Sequence, residues 1–487
     1  MDLAIALDNP LLPLHQQLYE ELRQAILTGR LLPRQKVPST RSLAQSLQIS
    51  RTTVTQSYDR LHSEGYLETI VGSGTYVCVQ LPDDLLHSTP VAVELNSNPS
   101  PIQLSQYGDR LSQTSFTLQP GLDLPISFRY GQPALRYFPI ALWRKLLSHY
   151  CMANSDWLQY ATDFQGDRSL RQAIAHYLAR ARAVQCEPEQ IILTNGTQQA
   201  LDLVMRLLIN SGDRIAFEDP GYLSARRVFL SHGAKLLPIP VDGSGLIVEK
   251  LASIDVANSL RLVYVTPSHQ FPTGSILSLS RRLELLSWAQ QHRCLILEDD
   301  YDSEYRYGER PIPALQGLDR NHSVIYIGTF SKVLFPSLRI GYLVVPQPLV
   351  SLFAQAKWLS DRQLPTLEQQ VLTEFIAAGH LESHIRKMRS HYDRLRQALV
   401  QALKTHFGSR AVIFGEKAGI HVMVKLNTLW SDAEVIERAA GVGVGLMSAQ
   451  PHYFNPGDRG EFIFGYGELD EAQIATGIDR LAQVLGS

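Results

Sequence analysis

Short apolar runs alternate with helical patterns through the middle of the chain, and this alternation limits the possible folds more than any other feature of the sequence. Runs of this kind are typical of buried strands in βα units, which form a mainly parallel sheet between helices. The pattern therefore predicts an α/β fold for most of the chain. The predicted strands are residues 191–193, 214–217, 236–239, 262–265, 295–297, 324–327 and 340–345.

Length and composition indicate a globular protein with more than one domain. A chain of 487 residues with 45% hydrophobic content and a net charge of -2 can form two or three domains and a large core. No apolar run approaches the roughly 20 residues of a membrane helix, and no basic stretch of a signal peptide opens the chain. The four cysteines lack metal-type spacing. We therefore expect a cytoplasmic protein with no metal site, disulfide framework or membrane partner.

The predicted strand 324–327 leads to a lysine. Gly328, Thr329 and Ser331 are small residues that let a loop approach a ligand, and Lys332 follows them. A lysine at the end of a buried strand is unusual, because an unpaired buried ammonium is costly. It has a chemical purpose if the amine is a catalytic nucleophile that forms a Schiff base. The alternative is an ordinary surface lysine on a loop.

A second predicted strand, 295–297, ends in acidic residues that include Asp299. Ligands of open α/β sheets bind at the carboxyl ends of the strands, so Asp299 and Lys332 are expected at one site. This pair suits pyridoxal 5'-phosphate (PLP), because the carboxylate keeps the pyridine nitrogen protonated while the lysine holds the aldehyde. Tyr301 is placed to bond the hydroxyl group of the pyridine ring. The sequence therefore predicts PLP as the cofactor.

A third stretch, residues 190–202, predicts a strand, a glycine-containing turn and a helix. Free backbone N–H groups at a helix N-terminus bind phosphate, which makes Gly196, Thr197 and Gln198 candidates for the cofactor phosphate. Arg339 would add a charge-assisted hydrogen bond to the same group. Each stretch alone is a weak signal, but the three together indicate a PLP site.

The N-terminal residues predict a DNA-binding domain. Helices over 13–29, 39–47 and 50–64, followed by a hairpin over 67–79, form the pattern of a winged helix-turn-helix. Residues 30–51 include basic side chains but no acid, which favours DNA over an ordinary solvated helix face. The candidate DNA contacts are Arg34, Ser39, Thr40, Arg41, Ser50, Arg51, Thr52, Thr53, Gly72 and Gly74.

Several motifs carry a family resemblance, among them residues 38–44, 265–274, 277–289 and 298–305. On these motifs nearly the whole chain resembles the MocR-type branch of the GntR regulators, in which a winged helix precedes a fold-type-I aminotransferase-like domain. The resemblance implies a homodimer on two DNA half-sites, with a partner's tyrosine reaching the cofactor phosphate. Tyr160 is the candidate for that role, although a packed aromatic is equally consistent. Tyr222 is expected to stack on the pyridine ring, and Ser331 to border the cofactor.

The predicted organisation has three parts. Residues 1–80 form the DNA-binding domain, 81–125 an extended or partly disordered linker, and 126–487 the effector domain. A small C-terminal α+β part begins near residue 347. A helical segment over 364–407 leads into it.

Two positions depart from a working aminotransferase. Phe271 stands where those enzymes have an asparagine that bonds the ring hydroxyl, and the last strands contain no arginine to hold a substrate carboxylate. Possible substitutes are Arg459, His452, Gln450, Arg226 and Arg227.

These departures favour a transcription regulator that senses PLP, a small amine or an amino acid. The alternative is an active aminotransferase with a DNA-binding domain, and a vestigial pocket is a lesser one. A partial transamination reaction stays open, as does the identity of the effector.

Overall fold

The computed structural model describes residues 5, 7, 8, 12–83, 102–114, 124–153, 158–252, 260–308, 312–457 and 459–486. The chain divides into two compact units, Met1–Gln103 and Leu104–Ser487. Among the described helices, none is both long and apolar enough to cross a lipid bilayer.

The first unit is a winged helix-turn-helix, as predicted. Serines cap the N-termini of its second and third helices. The Ser39 Oγ accepts a hydrogen bond from the Ser42 amide at 3.2 Å, and the Ser50 Oγ accepts one from the Thr53 amide at 3.1 Å. Apolar side chains of all three helices and the hairpin form its core. Its elements are α1 (Leu14–Leu27), α2 (Thr40–Leu47), α3 (Arg51–Ser63), β1 (Leu67–Ile70) and β2 (Gly74–Val77).

An eight-stranded sheet forms the centre of the second unit, with the strand order β4-β11-β10-β9-β8-β5-β6-β7. Strands β10, β9, β8, β5 and β6 pair in parallel, whereas β11 is antiparallel to both of its neighbours. This confirms the prediction of a mainly parallel sheet. The strands are β4 (Ile191–Thr194), β5 (Arg214–Asp219), β6 (Lys235–Asp242), β7 (Gly245–Leu246), β8 (Leu260–Val265), β9 (Leu295–Asp300), β10 (Val324–Thr329) and β11 (Gly341–Val344).

Helices cover the large sheet. Apolar side chains on both sides of it, such as Leu201 and Leu285, are buried in separate clusters. The helices are α4 (Gln106–Ser112), α5 (Ile140–Ala153), α6 (Arg168–Arg182), α7 (Gly196–Leu208), α8 (Leu223–Ser231), α9 (Glu249–Ala252), α10 (Leu279–His292), α11 (Leu315–Leu318) and α12 (Val350–Asp361).

The C-terminal part contains a four-stranded antiparallel sheet with the order β12-β13-β16-β15. A separate short strand, β14, pairs in parallel with β3, so that Val444 lies opposite Ile126. The remaining elements are β3 (Ile126–Ser127), α13 (Thr366–Ala377), α14 (His380–Phe407), β12 (Ala411–Phe414), β13 (His421–Leu426), α15 (Asp432–Gly441), β14 (Val444–Gly445), β15 (Met447–Ser448), β16 (Glu461–Gly465) and α16 (Glu471–Leu485).

The segment predicted to be helical over 364–407 is helical, and it divides into two helices because Gly379 adopts a left-handed conformation with φ 75° between α13 and α14. One conformational expectation is wrong. The segment expected to be an extended linker contains α4, which packs against the large domain. Arg110 of α4 donates a hydrogen bond to the Ser231 backbone oxygen at 3.0 Å. Residues 84–101 and 115–123 of that segment lie outside the described residues.

Candidate cofactor site and DNA-binding surface

A cleft opens at the carboxyl ends of the parallel strands. Strands β9 and β10 lie side by side with Ile327 opposite Asp299, so Asp299 and the loop after β10 reach the same edge. The cleft therefore brings the predicted acid and the predicted lysine together. Its lining residues are Tyr130, Gly131, Thr197, Gln198, Tyr222, Thr266, Phe271, Asp299, Tyr301, Asp302, Thr329, Ser331, Lys332, Arg339, Ile420 and His421.

The Asp299 carboxyl has one oxygen ready for a ligand. The Tyr264 hydroxyl donates a hydrogen bond to its Oδ2 at 2.8 Å, whereas its Oδ1 is buried and has no partner among the described residues. Burial raises the pKa of Asp299 to about 7. A cationic N–H donor would satisfy Oδ1 and favour the charged carboxylate, which is what a protonated pyridine nitrogen does.

The Lys332 amine is held inside the cleft. Its Nζ donates a hydrogen bond to the backbone oxygen of Gly131 at 2.7 Å. Burial lowers the pKa of Lys332, and the positive charges of Arg129 and Arg339 act in the same direction, while Asp302 and Asp299 oppose them. A lower pKa leaves more of the amine unprotonated, which is the nucleophilic form.

A glycine and an arginine form the predicted phosphate site. Gly196 begins α7 with φ 69°, and a Cβ there would lie 2.7 Å from the Arg339 Nη2. The Arg339 guanidinium donates a hydrogen bond to the Asn195 backbone oxygen at 3.0 Å. A Cβ at Gly341 would lie 3.0 Å from the Gly196 Cα, so β11 carries Arg339 up to the start of α7. The absence of a side chain at Gly196 leaves the guanidinium and the helix N-terminus adjacent, as phosphate binding requires.

Tyr301 belongs to a buried polar network. Its hydroxyl donates a hydrogen bond to the His269 backbone oxygen at 2.9 Å. The His269 Nδ1 lies 3.0 Å from both carboxylate oxygens of Asp302. His421 is close enough that ligand atoms of His269, Asp302 and His421 all lie within 4.8 Å of one another. The side chain of Tyr301 is thus fixed at the wall of the cleft.

The other candidate cofactor residues divide into two groups. Thr197, Gln198, Tyr222 and Ser331 line the cleft. Tyr160 does not line the cleft of its own chain; its side chain is 72% exposed, with the Arg362 guanidinium 4.4 Å from its ring centre.

Sequence reasoning missed Tyr130, Gly131, Thr266, Asp302, Ile420 and His421 as members of the site, whereas Thr329 was expected to border a ligand. Thr266 and Asp302 lie within motifs of the family resemblance, so a signal for them was present. His421 stands in an ordinary apolar strand with no such signal.

Comparisons with known proteins decide the family. Residues 133–448 match the model of aminotransferase class I and II, and residues 14–77 match that of the bacterial regulatory proteins of the gntR family. The probable rhizopine catabolism regulatory protein MocR of Rhizobium meliloti is 39% identical over 473 residues, which cover 96% of this chain and 93% of that protein. The chain belongs to the MocR-type branch of the GntR regulators.

Other relatives and solved structures agree with this assignment. The HTH-type pyridoxine biosynthesis transcriptional regulator PdxR of Corynebacterium glutamicum is 31% identical over 472 residues, covering 96% of each chain. LysN, an α-aminoadipate aminotransferase of Thermus thermophilus, is 29% identical with a TM-score of 0.72, covering 78% of this chain and 97% of that chain. That structure contains N-(5'-phosphopyridoxyl)-L-leucine.

The cofactor of this MocR-type regulator is PLP. The partnerless oxygen of Asp299, the amine of Lys332 and the space beside Gly196 fit its pyridine nitrogen, aldehyde and phosphate. The protein is a DNA-binding transcription regulator with a PLP-binding, aminotransferase-like domain. This supports the regulator over an aminotransferase that carries a DNA-binding domain.

The candidate DNA contacts of the regulator all belong to its first unit, but their structural positions differ. Arg34, Arg41, Arg51 and Thr52 are exposed, and Thr40 and Thr53 are half-buried. Arg34 has φ 63°, a left-handed backbone conformation that favours glycine. Ser39 and Ser50 are helix caps, whereas Gly72 and Gly74 form the tip of the hairpin with φ values of 79° and 128°.

Proposed function

We propose that this regulator senses PLP, or a small amino compound that reacts with it, and that occupancy of the cleft alters binding to operator DNA. The partnerless Oδ1 of Asp299, a residue that lines the same cleft as Lys332, carries this proposal. A buried carboxylate oxygen without a donor is costly unless a ligand supplies one. Occupancy would shift the protein between two states to the extent that the ligand prefers one of them.

Each residue of the cleft has a proposed part. Asp299 holds the ring nitrogen, Arg339 and the start of α7 hold the phosphate, and Tyr301 bonds the ring hydroxyl. Tyr222 stacks on the ring. PLP supplies an aldehyde that bonds reversibly to primary amines, and Lys332 is the resident amine that an effector amine replaces. A replaced Lys332 is again a free amine that can donate its hydrogen bond to the Gly131 backbone oxygen.

On DNA, we propose that the N-terminal turn of α3 enters the major groove. Arg51 lies in this first turn and is exposed, and its Nε is 3.4 Å from the Thr40 hydroxyl, so α2 supports its side chain. Thr52 is exposed beside it. The hairpin tip at Gly72 and Gly74 would contact the sugar-phosphate backbone, where small residues allow close approach. Action on DNA implies that the protein works in the cytoplasm.

We further propose a homodimer formed through an aromatic patch, defined as Tyr160, Phe164, Trp358 and Leu359. These side chains are between 37% and 72% exposed, which is unusual for large apolar groups that lie together. The Phe164 and Trp358 rings are 5.5 Å apart, and Arg362 lies over both Tyr160 and Trp358. A second copy of this chain would cover the patch and bring Tyr160 towards the partner's cleft.

The visible absorption spectrum tests the cofactor sensor. We expect a band of bound PLP in the full-length protein that is absent from Lys332→Ala, and a change in affinity for the DNA upstream of its own gene when PLP is added. A protein that binds PLP with unchanged DNA affinity, whether or not amines are added, would contradict sensing. Sustained production of keto acids from amino acids would instead indicate an enzyme.

Sedimentation of Trp358→Asp tests the dimer. We expect the wild-type protein to be a dimer and the variant a monomer, with Leu283→Asp as the control for another exposed apolar residue, 52% exposed on α10. A dimeric Trp358→Asp variant would place the dimer interface elsewhere.

A further inference from the structure

Two cations, Lys332 and Arg339, line the cleft in the part of the chain that the structure describes. Each already has a proposed role in binding PLP. Lys332 is the amine that binds PLP. The Arg339 guanidinium lies at the start of α7, where it donates to the Asn195 backbone oxygen at 3.0 Å. Neither is therefore available to form the two-pronged hydrogen bonds by which an arginine holds a carboxylate.

Sequence analysis offered Arg226 and Arg459 as partners for a substrate carboxylate. Both arginines contact other groups of the protein. The Arg226 Nη1 donates to the Tyr453 backbone oxygen at 2.9 Å, and its guanidinium lies 5.0 Å from the ring centre of Phe454. Arg459 stacks 4.0 Å from the ring centre of Tyr453. Neither arginine lines the cleft, and neither does the exposed Arg129. Arg362, which the proposed dimer would carry towards the partner's cleft with Tyr160, stacks on the Tyr160 and Trp358 rings.

The other substitutes do not meet the need either. Arg227, Gln450 and His452 are not among the residues that line the cleft. The His452 Nδ1 lies 3.1 Å from the Gly221 backbone oxygen, and burial lowers the pKa of His452 to about 4. The imidazole is therefore neutral at pH 7 and offers a carboxylate no charge.

An apolar cluster borders the cleft instead. Phe271, Met423, Ala449 and Ile463 are buried together. Tyrosines that pack against this cluster also form the wall of the cleft, namely Tyr130, Tyr222 and Tyr301. A carboxylate placed here would lose its water without gaining a charged partner, which is unfavourable.

An acidic side chain, Asp302, also disfavours an effector carboxylate in the cleft. Asp302 lines the cleft, is 1% exposed, and lies close enough to Lys332 to stabilise its ammonium form. Its pairing with His269 fixes it in place. A fixed negative charge beside the reacting amine attracts an incoming ammonium and repels a carboxylate attached to the neighbouring carbon.

We propose that the effector is a primary amine with an apolar or aromatic tail and no carboxylate on the carbon that bears the nitrogen. This inference rests on the proposed function and names the class of compound that the cleft admits. A C=N bond forms to the effector nitrogen as the C=N bond to Lys332 breaks. An incoming ammonium first gives up one proton to water, and the resulting neutral amine reacts. Lys332 leaves as a free amine with the two hydrogens of that amine, so the exchange needs no oxidant.

Matched pairs of probes that differ in one carboxylate test the proposal. The PLP-loaded full-length protein is titrated with 2-phenylethylamine and with L-phenylalanine, and separately with 3-methylbutylamine and with L-leucine. The readouts are the spectrum of the bound cofactor and the affinity for upstream DNA. We expect half-maximal change at a concentration roughly 100-fold lower for each amine than for its amino acid.

The proposal would be overturned if the amino acids gave half-maximal change at the same concentration as the amines or at a lower one. It would also be overturned if the PLP-loaded protein responded to neither member of any pair. Absence of a PLP band before any probe is added marks failure of the proposed function itself. Asp302→Asn should reduce the preference for amines about tenfold by removing the repelling charge, whereas the exposed control Glu437→Gln should keep it. An unchanged preference in Asp302→Asn would overturn the role of Asp302.

Discussion

The Nζ of Lys332 lies 2.7 Å from the backbone oxygen of Gly131 and donates a hydrogen bond to it. Gly131 follows β3, which pairs in parallel with β14 and is the first strand after the segment predicted as a linker. Bonding of Lys332 to an aldehyde leaves Nζ with fewer hydrogens to donate. The contact that changes when PLP binds therefore lies on the stretch of chain nearest to that segment.

We expect Gly131→Ala to weaken PLP binding by about tenfold or more. Gly131 has φ 79°, and an added methyl group would lie 2.7 Å from the Lys332 Nζ, so the amine must move. The left-handed backbone adds a cost of about 1–2 kcal/mol for alanine. Absorbance titration with PLP measures the change. Gly243→Ala is the control, because a methyl group there meets nothing within 4 Å; equal affinities of the two variants would contradict a role for this contact.

The stability of the cofactor-free effector domain should depend on the charge of Asp299. Burial raises the pKa of this carboxyl from 3.8 to about 7. Between these pH values the unfolded chain releases a proton that the folded chain keeps, so the stability contribution of Asp299 falls as the pH rises and levels off above pH 7. Asp299→Asn removes this loss, which amounts to about 4 kcal/mol at most.

Urea unfolding at pH 4 and at pH 8, followed in the near-ultraviolet circular dichroism of the effector domain, measures the effect. We expect the stability of Asp299→Asn relative to the wild type, measured as the difference between their free energies of unfolding, to increase as the pH rises. Parallel pH dependence in the two proteins would show that Asp299 is already ionised without PLP. The same substitution should weaken PLP binding, because a neutral amide pairs poorly with a protonated ring nitrogen.

Ser50 should act as a helix cap. Its Oγ accepts a hydrogen bond from the Thr53 amide at 3.1 Å. We expect Ser50→Ala to lower the free energy of unfolding of the DNA-binding domain by about 1 kcal/mol, and Ser50→Asn to preserve it, because asparagine caps equally well. Thermal unfolding measures this. If Ser50→Asn retains stability but loses DNA affinity, the serine contacts DNA directly, as sequence analysis first suggested.

Arg51 should contribute to DNA affinity. We expect Arg51→Ala to reduce affinity for upstream DNA about 10- to 100-fold, since a base-edge contact contributes about 1–3 kcal/mol. If Arg51 contacts a phosphate instead, the loss of affinity will be uniform across DNA sequences. The slope of log affinity against log salt concentration will then decrease by about one, because about one ion fewer is released on binding.

Fluorescence anisotropy at several salt concentrations separates these outcomes for Arg51. Arg60 on the same helix is the control, because its guanidinium pairs with Glu64 at 2.9 Å and lies over Tyr19. An Arg60→Ala loss as large as that of Arg51→Ala would place the DNA surface elsewhere on the domain.

The sequence by itself determined the classes of structure and most of the cofactor site. Apolar periodicity predicted the winged helix and the mainly parallel sheet, because burial of one face or of a whole strand leaves a local pattern. Asp299 and Lys332 were predictable because parallel strands bring their carboxyl ends to one edge. The break at Gly379 was not, because residues on both sides of it continue a helical pattern.

Only the tertiary structure decided what surrounds the lysine. Gly131 is distant from Lys332 in the sequence, and His421 comes from the small C-terminal sheet, so no local pattern could place either beside it. The partnerless oxygen of Asp299 and the apolar cluster around Phe271 likewise depend on which strands and loops meet. Local sequence sets the backbone preferences of each segment, whereas a binding site depends on side chains that packing brings together from distant segments.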